Sequence, residues 1–203
     1  DRFYSDYSTR GDGTWKGRGG TGLWKTFEDN LTKRGIEIWT KTELKRLIVS
    51  EAGEVIGVVV EKDGKELNLK ANKGVVLATG GFTRNEEMLW DYRQTKFQEF
   101  TEVQMRGGSA APGECDGSSV KAALALGAGV KTIACNNGGI RINTDAQVLN
   151  VFGEPIPRLF ASSKAIGGIY GNLYPVCGAY VSAFVCFGRI AGKNVAKLDP
   201  VSL

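Results

Sequence analysis

The sequence contains no histidine among its 203 residues. That absence removes Ser-His-Asp and Cys-His nucleophile pairs, imidazole acid–base chemistry and His-bearing zinc sites together. Any reaction falls to Tyr, Lys, Arg, carboxylates, backbone groups or a bound cofactor. The four cysteines (Cys115, Cys135, Cys177 and Cys186) have no C-x-x-C spacing. This argues against a thiolate metal site or redox pair, and for reduced thiols in an intracellular, cytoplasmic protein. No apolar run approaches the roughly 18 residues of a membrane span. The net charge of +4, from 26 basic and 22 acidic residues spread along the chain, is too weak to indicate nucleic acid. The chain opens on Asp1 with neither an initiator Met nor a secretory apolar region, and so reads as an excised or partly ordered piece.

Glycine is abundant. Its 28 copies are about twice the usual share. With 42% hydrophobic and 24% charged residues the chain has an ordinary globular composition, too apolar for disorder. Residues 1–20 are polar, aromatic and aperiodic, an arm or loop. Leu23, Trp24, Phe27 and Leu31 predict a helix from Thr21 to just before Gly35. Ile36 to Trp39 alternates like a short strand. Leu44–Val49, Val55–Glu61 and Glu66–Ala71 predict an antiparallel meander, with turns at 51–54 and at Asp63-Gly64. Val75 to Ala78 reads as a strand buried on both faces. Asn85 is placed to cap a helix reaching Tyr92, and Asp116 to cap one ending near Gly127. Ile140–Asn143 and Gln147–Asn150 read as a strand pair. A final helix from about Ala179 to Ala196 carries Phe184, Val185, Phe187 and Ile190 on its buried face. The interspersed strands and helices indicate an α/β fold with an antiparallel β-insert.

Three glycine-rich segments punctuate strand-to-helix transitions: Ala78-Thr79-Gly80-Gly81, Gly113 to Gly117, and Gly167 to Gly178. Without side-chain bulk, backbone N–H groups can approach a phosphate or a ring. Together these segments resemble the FAD-dependent oxidoreductases of fumarate reductase, succinate dehydrogenase flavoprotein and 3-ketosteroid dehydrogenase type. The resemblance covers most of residues 19–197. It rests on Val75-Val-Leu-Ala-Thr-Gly-Gly-Phe82, Asp116-Gly117 with Leu126-Gly-Ala128, Gly138-Gly-Ile-Arg-Ile-Asn143, Gln147-Val-Leu149, Pro155-Ile-Pro157 and Gly188-Arg-Ile-Ala-Gly192, in that order.

The resemblance implies a partial Rossmann-like FAD-binding domain over 1–203, with an arm at 1–20, a β-meander at 36–71 and a flavin-facing block at 138–203. Ala78, Thr79, Gly80 and Gly81 would lie near the ADP part of FAD, with Asp116 and Gly117 beside the cofactor. Ser163 falls at the ribityl contact. Tyr180 and Val181 open the last helix, whose positive end would face the isoalloxazine ring and stabilise negative charge on reduced flavin. Tyr174-Pro-Val-Cys-Gly178 resembles the Tyr-Pro-x-x-Gly of ketosteroid dehydrogenases. Through it the Tyr174 hydroxyl and the Gly178 N–H would hold a substrate carbonyl. Tyr170 and Tyr174 occupy places that carry His and Arg in fumarate-type members, which disfavours a dicarboxylate.

Some family features have no counterpart here. No G-x-G-x-x-G follows an apolar strand, and a cap domain is absent or not represented near 134–137. Ser163-Lys164 replaces Gly-Glu, and Arg158 replaces the Gly of Pro-Gly-Leu. The expected activity is hydride transfer between flavin and a carbon–carbon bond adjacent to a carbonyl, on an enone or ketosteroid-like substrate, with a partner chain able to supply missing parts. The alternatives are a non-catalytic, flavoprotein-like subunit acting through protein assembly, and a module for another nucleotide.

Overall fold

The computed structural model describes residues 19–82, 85–92, 115–131, 138–170 and 179–201. Two compact units are present, Asp1–Lys41 and Thr42–Leu203. In the first, helix α1 (Gly19–Lys33) starts two residues before the expected Thr21. Lys25 bridges Glu28 at 3.4 Å and Asp29 at 2.8 Å along its exposed face. Ile36 to Trp39, expected as a strand, forms none, and its side chains are exposed. Alternation describes a surface that fits a sheet, and a strand also requires a ladder to join.

The second unit opens with the meander: β1 (Thr42–Val49), β2 (Val55–Lys62) and β3 (Lys65–Lys70), in the order β1-β2-β3. Both hairpins follow from local chemistry. The Ser50 hydroxyl accepts the Glu54 N–H at 3.2 Å, while Asp63 and Gly64 both have positive φ, as a two-residue turn of this hand requires. The central strand β2 buries Val55 and Val59 completely. Each such valine contributes on the order of 1.5–3 kcal/mol by leaving water. Lys45 bridges Glu43 and Glu61. Hydrogen bonds to those two carboxylates, Glu43 first, hold its ammonium protonated beyond the usual lysine range.

A second sheet has the order β4-β8-β7, from β4 (Val75–Leu77), β7 (Gln147–Leu149) and β8 (Pro155–Ala161). β4 and β8 run parallel, Val75 opposite Leu159 and Leu77 opposite Ala161. β5 (Val130–Lys131) and β6 (Gly139–Ile140) pair separately. The expected pairing of 140–143 with 147–150 reduces to one isolated bridge, Ile142 to Val148. The ladder of β7 runs instead with β8, because Asn150 closes a tight hairpin by accepting the N–H groups of Phe152 and Glu154 at 2.9 Å each. β4 is covered on one face only: Leu77 is buried and Val76 is 39% exposed, so the expectation of burial on both faces does not hold.

Among the described residues the unit also carries α2 (Glu86–Tyr92), α3 (Ser118–Leu124) and α4 (Ala179–Lys197). Leu47, Val55, Leu77, Phe82, Met88, Val120, Ile140, Val148, Leu159 and Ile166 form one continuous core. Both larger sheets and both short helices contribute to it. α4 docks through Ala191 and the half-buried Phe187 and Ile190 against Phe160 and Ala146. Val185, expected on that face, is 60% exposed. It lies two residues past the buried Ala183, on the far side of a helix with 3.6 residues per turn. Among the described residues no helix is long and apolar enough to cross a membrane.

Candidate functional site

β4 ends at Leu77, whose carbonyl accepts the Ser162 N–H at 2.9 Å and carries the parallel ladder one step past the end of β8. The chain then enters Ala78-Thr79-Gly80-Gly81. Ala78 and Thr79 are exposed, Gly80 is half-buried and Gly81 is buried. Gly80 takes φ +94°, which favours glycine, and a Cβ there would sit in tight contact with the Cys115 sulfur, at 3.3 Å.

The second glycine-rich segment is fastened to the first. The Gly81 carbonyl accepts the Gly117 N–H at 3.0 Å, and the Gly80 carbonyl accepts the Ser119 hydroxyl at 3.3 Å. The expected cap is displaced by one residue. Gly117, with φ 85°, is the N-cap of α3 and offers no side chain, while Asp116 stands outside the helix with its carboxylate accepting the Ser118 N–H at 2.9 Å. A glycine holds the cap because the backbone there is left-handed and a Cβ would run into the Met88 sulfur and the Phe82 Cβ. Asn85 does what its position predicted: its Oδ1 accepts the Met88 N–H at 3.0 Å. Its amide also donates to the Asp116 carbonyl at 2.9 Å, tying α2 to this loop. Asp116 itself is exposed.

β8 delivers the third wall. Ser162 is buried and Ser163, with φ 64°, turns the chain into a 3-10 turn, Ser163–Ala165. The Lys164 carbonyl lies 3.1 Å from where a Cβ on Gly81 would stand. The structure thus brings together Ala78, Thr79, Gly80, Gly81, Asp116, Gly117 and Ser163 at the carboxyl end of the β4–β8 pair. The start of the third glycine-rich segment is anchored close by, with Gly167 N–H donating to the Ile140 carbonyl at 3.0 Å. Tyr180 and Val181 fall in the first turn of α4, with Val181 56% exposed. That helix is tied to β8 by the Ser162 hydroxyl, which donates to the Phe184 carbonyl at 3.2 Å. Tyr174 and Gly178 lie outside the described residues.

Sequence reasoning missed Ser119 and Ser162 as parts of this region, and the contact of Cys115, within the 113–117 segment, with Gly80. For Ser119 a signal was present. It precedes Ala123 by four residues on the apolar stripe of α3, and a hydroxyl on a buried stripe must find an acceptor. For Cys115, whose neighbour Gly80 lies far away in sequence, no local signal existed. Cys115 and Cys186 are free thiols, the first buried and the second exposed.

Residues 8–136 match a family described as FAD binding domain. A 3-oxosteroid 1-dehydrogenase of Comamonas testosteroni is 34% identical over 93 residues, which is 45% of this chain and 16% of that protein. The NADH:fumarate oxidoreductase of Klebsiella pneumoniae is 42% identical over 60 residues, 30% of this chain and 6% of that one. The chain therefore matches only a small part of the length of these relatives. Among solved structures, the 3-ketosteroid-Δ4-(5α)-dehydrogenase of Rhodococcus jostii RHA1, in complex with 4-androstene-3,17-dione, aligns with a TM-score of 0.75 at 19% identity. That alignment covers 93% of this chain and 66% of that one, and it establishes a shared fold.

Proposed function

The chain belongs to the FAD binding domain family, and from that membership we propose that it forms the flavin-holding part of an oxidoreductase that moves hydride between FAD and a carbon–carbon bond beside a carbonyl. The observation that carries this reading is the convergence of Ala78–Gly81, Asp116-Gly117 and Ser163–Ala165 beyond the carboxyl ends of two parallel strands. Partial Rossmann-like sheets take their ligands at this end.

The residues present fit the adenosine diphosphate part of FAD. The carbonyls of Gly80 and Gly81 are engaged by α3 and its cap. In a trans peptide the N–H opposes the C=O, so the N–H groups of Gly81 and Phe82 point away from α3, and the Gly81 N–H is the donor proposed for a phosphate oxygen. Lys164 offers only donors, which suits a phosphate or carbonyl oxygen and not the hydrogen of a ribityl hydroxyl. The first turn of α4 carries no acidic residue, which leaves its positive end, at Tyr180 and Val181, free to favour negative charge.

FAD, when bound, supplies the hydride exchange. The part assigned to this chain's own groups is to hold the substrate. The Tyr174 hydroxyl and the Gly178 N–H would donate to one carbonyl oxygen. Two donors on that oxygen favour the enol, loosen the neighbouring α-hydrogen and ease hydride loss from the β-carbon. The name of one relative, a 3-oxosteroid 1-dehydrogenase, supports a ketone-bearing substrate. Tyr170 and Tyr174, in place of cationic side chains, weigh against a dicarboxylate.

Tyr174→Phe is expected to lower kcat on a 3-ketosteroid by about 100-fold while leaving the bound-flavin absorbance intact. Unchanged turnover removes the carbonyl contact. Purified protein without flavin bands, and unable to take up added FAD, removes the flavin reading as a whole. Ser163-Lys164 favours a second reading, a non-catalytic subunit. A colourless protein recovered only in an obligate complex with a partner chain would support it.

A further inference from the structure

Two polar side chains are buried among the described residues, Ser119 at 0% and Ser162 at 3% exposure. Ser162 fastens α4 to the end of β8. Ser119 has no such joint to make, since α3 is already packed on the core through Val120 and Ala123. Its hydroxyl turns to one carbonyl, that of Gly80, at 3.3 Å.

The Gly80–Gly81 peptide has no Cβ on either side, so its plane can rotate at a cost that any other pair of residues would raise. The following peptide is fixed, because the Gly81 carbonyl accepts the Gly117 N–H. We infer that Ser119 is a positioning residue for the dinucleotide: it holds the Gly80 carbonyl toward α3 and so keeps the Gly81 N–H presented to the FAD pyrophosphate. This rests on the flavin reading above. The Cys115 sulfur, 3.3 Å from where a Gly80 Cβ would be, crowds that position but selects no orientation of the peptide plane. That selection falls to the Ser119 hydroxyl. Its removal leaves the turn in place and its donor free to rotate away.

The test is calorimetric titration of the intact protein with FAD and with ADP, comparing Ser119→Ala with Val59→Ala, a buried change in the meander. Ser119→Ala is expected to weaken both ligands about threefold to tenfold, the range of one net hydrogen bond, while Val59→Ala lowers stability and leaves both affinities unchanged. Equal affinities for wild type and Ser119→Ala overturn the inference, as does equal weakening by the two variants. Weakened FAD with unchanged ADP also overturns it, because the pyrophosphate is common to both. Wild type binding neither ligand brings down the flavin reading, and the inference with it. If Ser119→Ala does not fold, amide exchange in the wild type decides: protection of the Gly81 N–H by FAD supports the assignment, and exchange unaltered by saturating FAD overturns it.

Discussion

Arg158 adopts φ 63° inside a strand, a conformation that costs an ordinary L-residue about 1–2 kcal/mol. Its side chain offsets that strain. Nη1 donates to the Lys73 carbonyl at 2.9 Å and to the Asp199 carbonyl at 2.8 Å. Nε lies 3.2 Å from the Glu54 carboxylate as an ion pair, without its N–H aimed into a hydrogen bond. One guanidinium thus joins the β1–β2 hairpin, the approach to β4 and the segment after α4. The left-handed backbone also accounts for the glycine that the resembled family carries here. Arg158→Ala is expected to lower stability by about 2 kcal/mol, the scale of lost hydrogen bonds to a charged group, with FAD affinity unchanged, because the residue precedes the β4–β8 register that leads to the site. Arg158→Gly should lose less, since glycine relieves the strain. Urea midpoints equal to wild type in both would dismiss the clasp. At this scale Asn85 was legible, because a cap is a local bond. The displacement of Asp116 by Gly117 was not, because the lack of room for a Cβ there comes from Met88 and Phe82, remote in sequence.

Local signals carried whole elements well. The hairpin turns, α1 and the extent of α4 all follow from turn residues and a 3.6-residue period, which act over a few positions. The face of α4 was only half legible. Ala183 and Ala191 are the buried contacts, and the bulkier Val185 drew attention to the wrong side. Ala191→Leu is expected to cost about 1–3 kcal/mol by overpacking, and Val185→Lys to stay within about 0.5 kcal/mol of wild type. Thermal denaturation of the two variants checks this, and a reversed order would place the docking face where Val185 is. The absence of a strand at Ile36 to Trp39 was beyond reach, because pairing depends on which strand arrives alongside and that information is not in the segment, whereas the β7–β8 hairpin had a local signal in Asn150 that went unread.

For the molecule as a whole, the order of the motifs along the chain made the family legible, while their meeting at one place became visible only in the fold. Because the cradle exists only when the chain is folded, FAD binding must stabilise the native state. At 100 times its Kd the gain is about 2.7 kcal/mol, expected as a raised melting temperature with FAD and no response to NAD. A larger rise with NAD would assign the cradle to a different nucleotide. The parallel register of Val75 with Leu159 also sets an order of events during synthesis. The meander closes between near neighbours and can form early, whereas β4 waits for β8 across the stretch that carries α2, α3 and β5 to β7, the slow kind of contact. A nascent polypeptide therefore emerges with the two strands that lead to the proposed flavin cradle still apart. Capture of the cofactor comes late in biogenesis, and a translation product that stops short of β8 should be colourless however well its hairpins have formed.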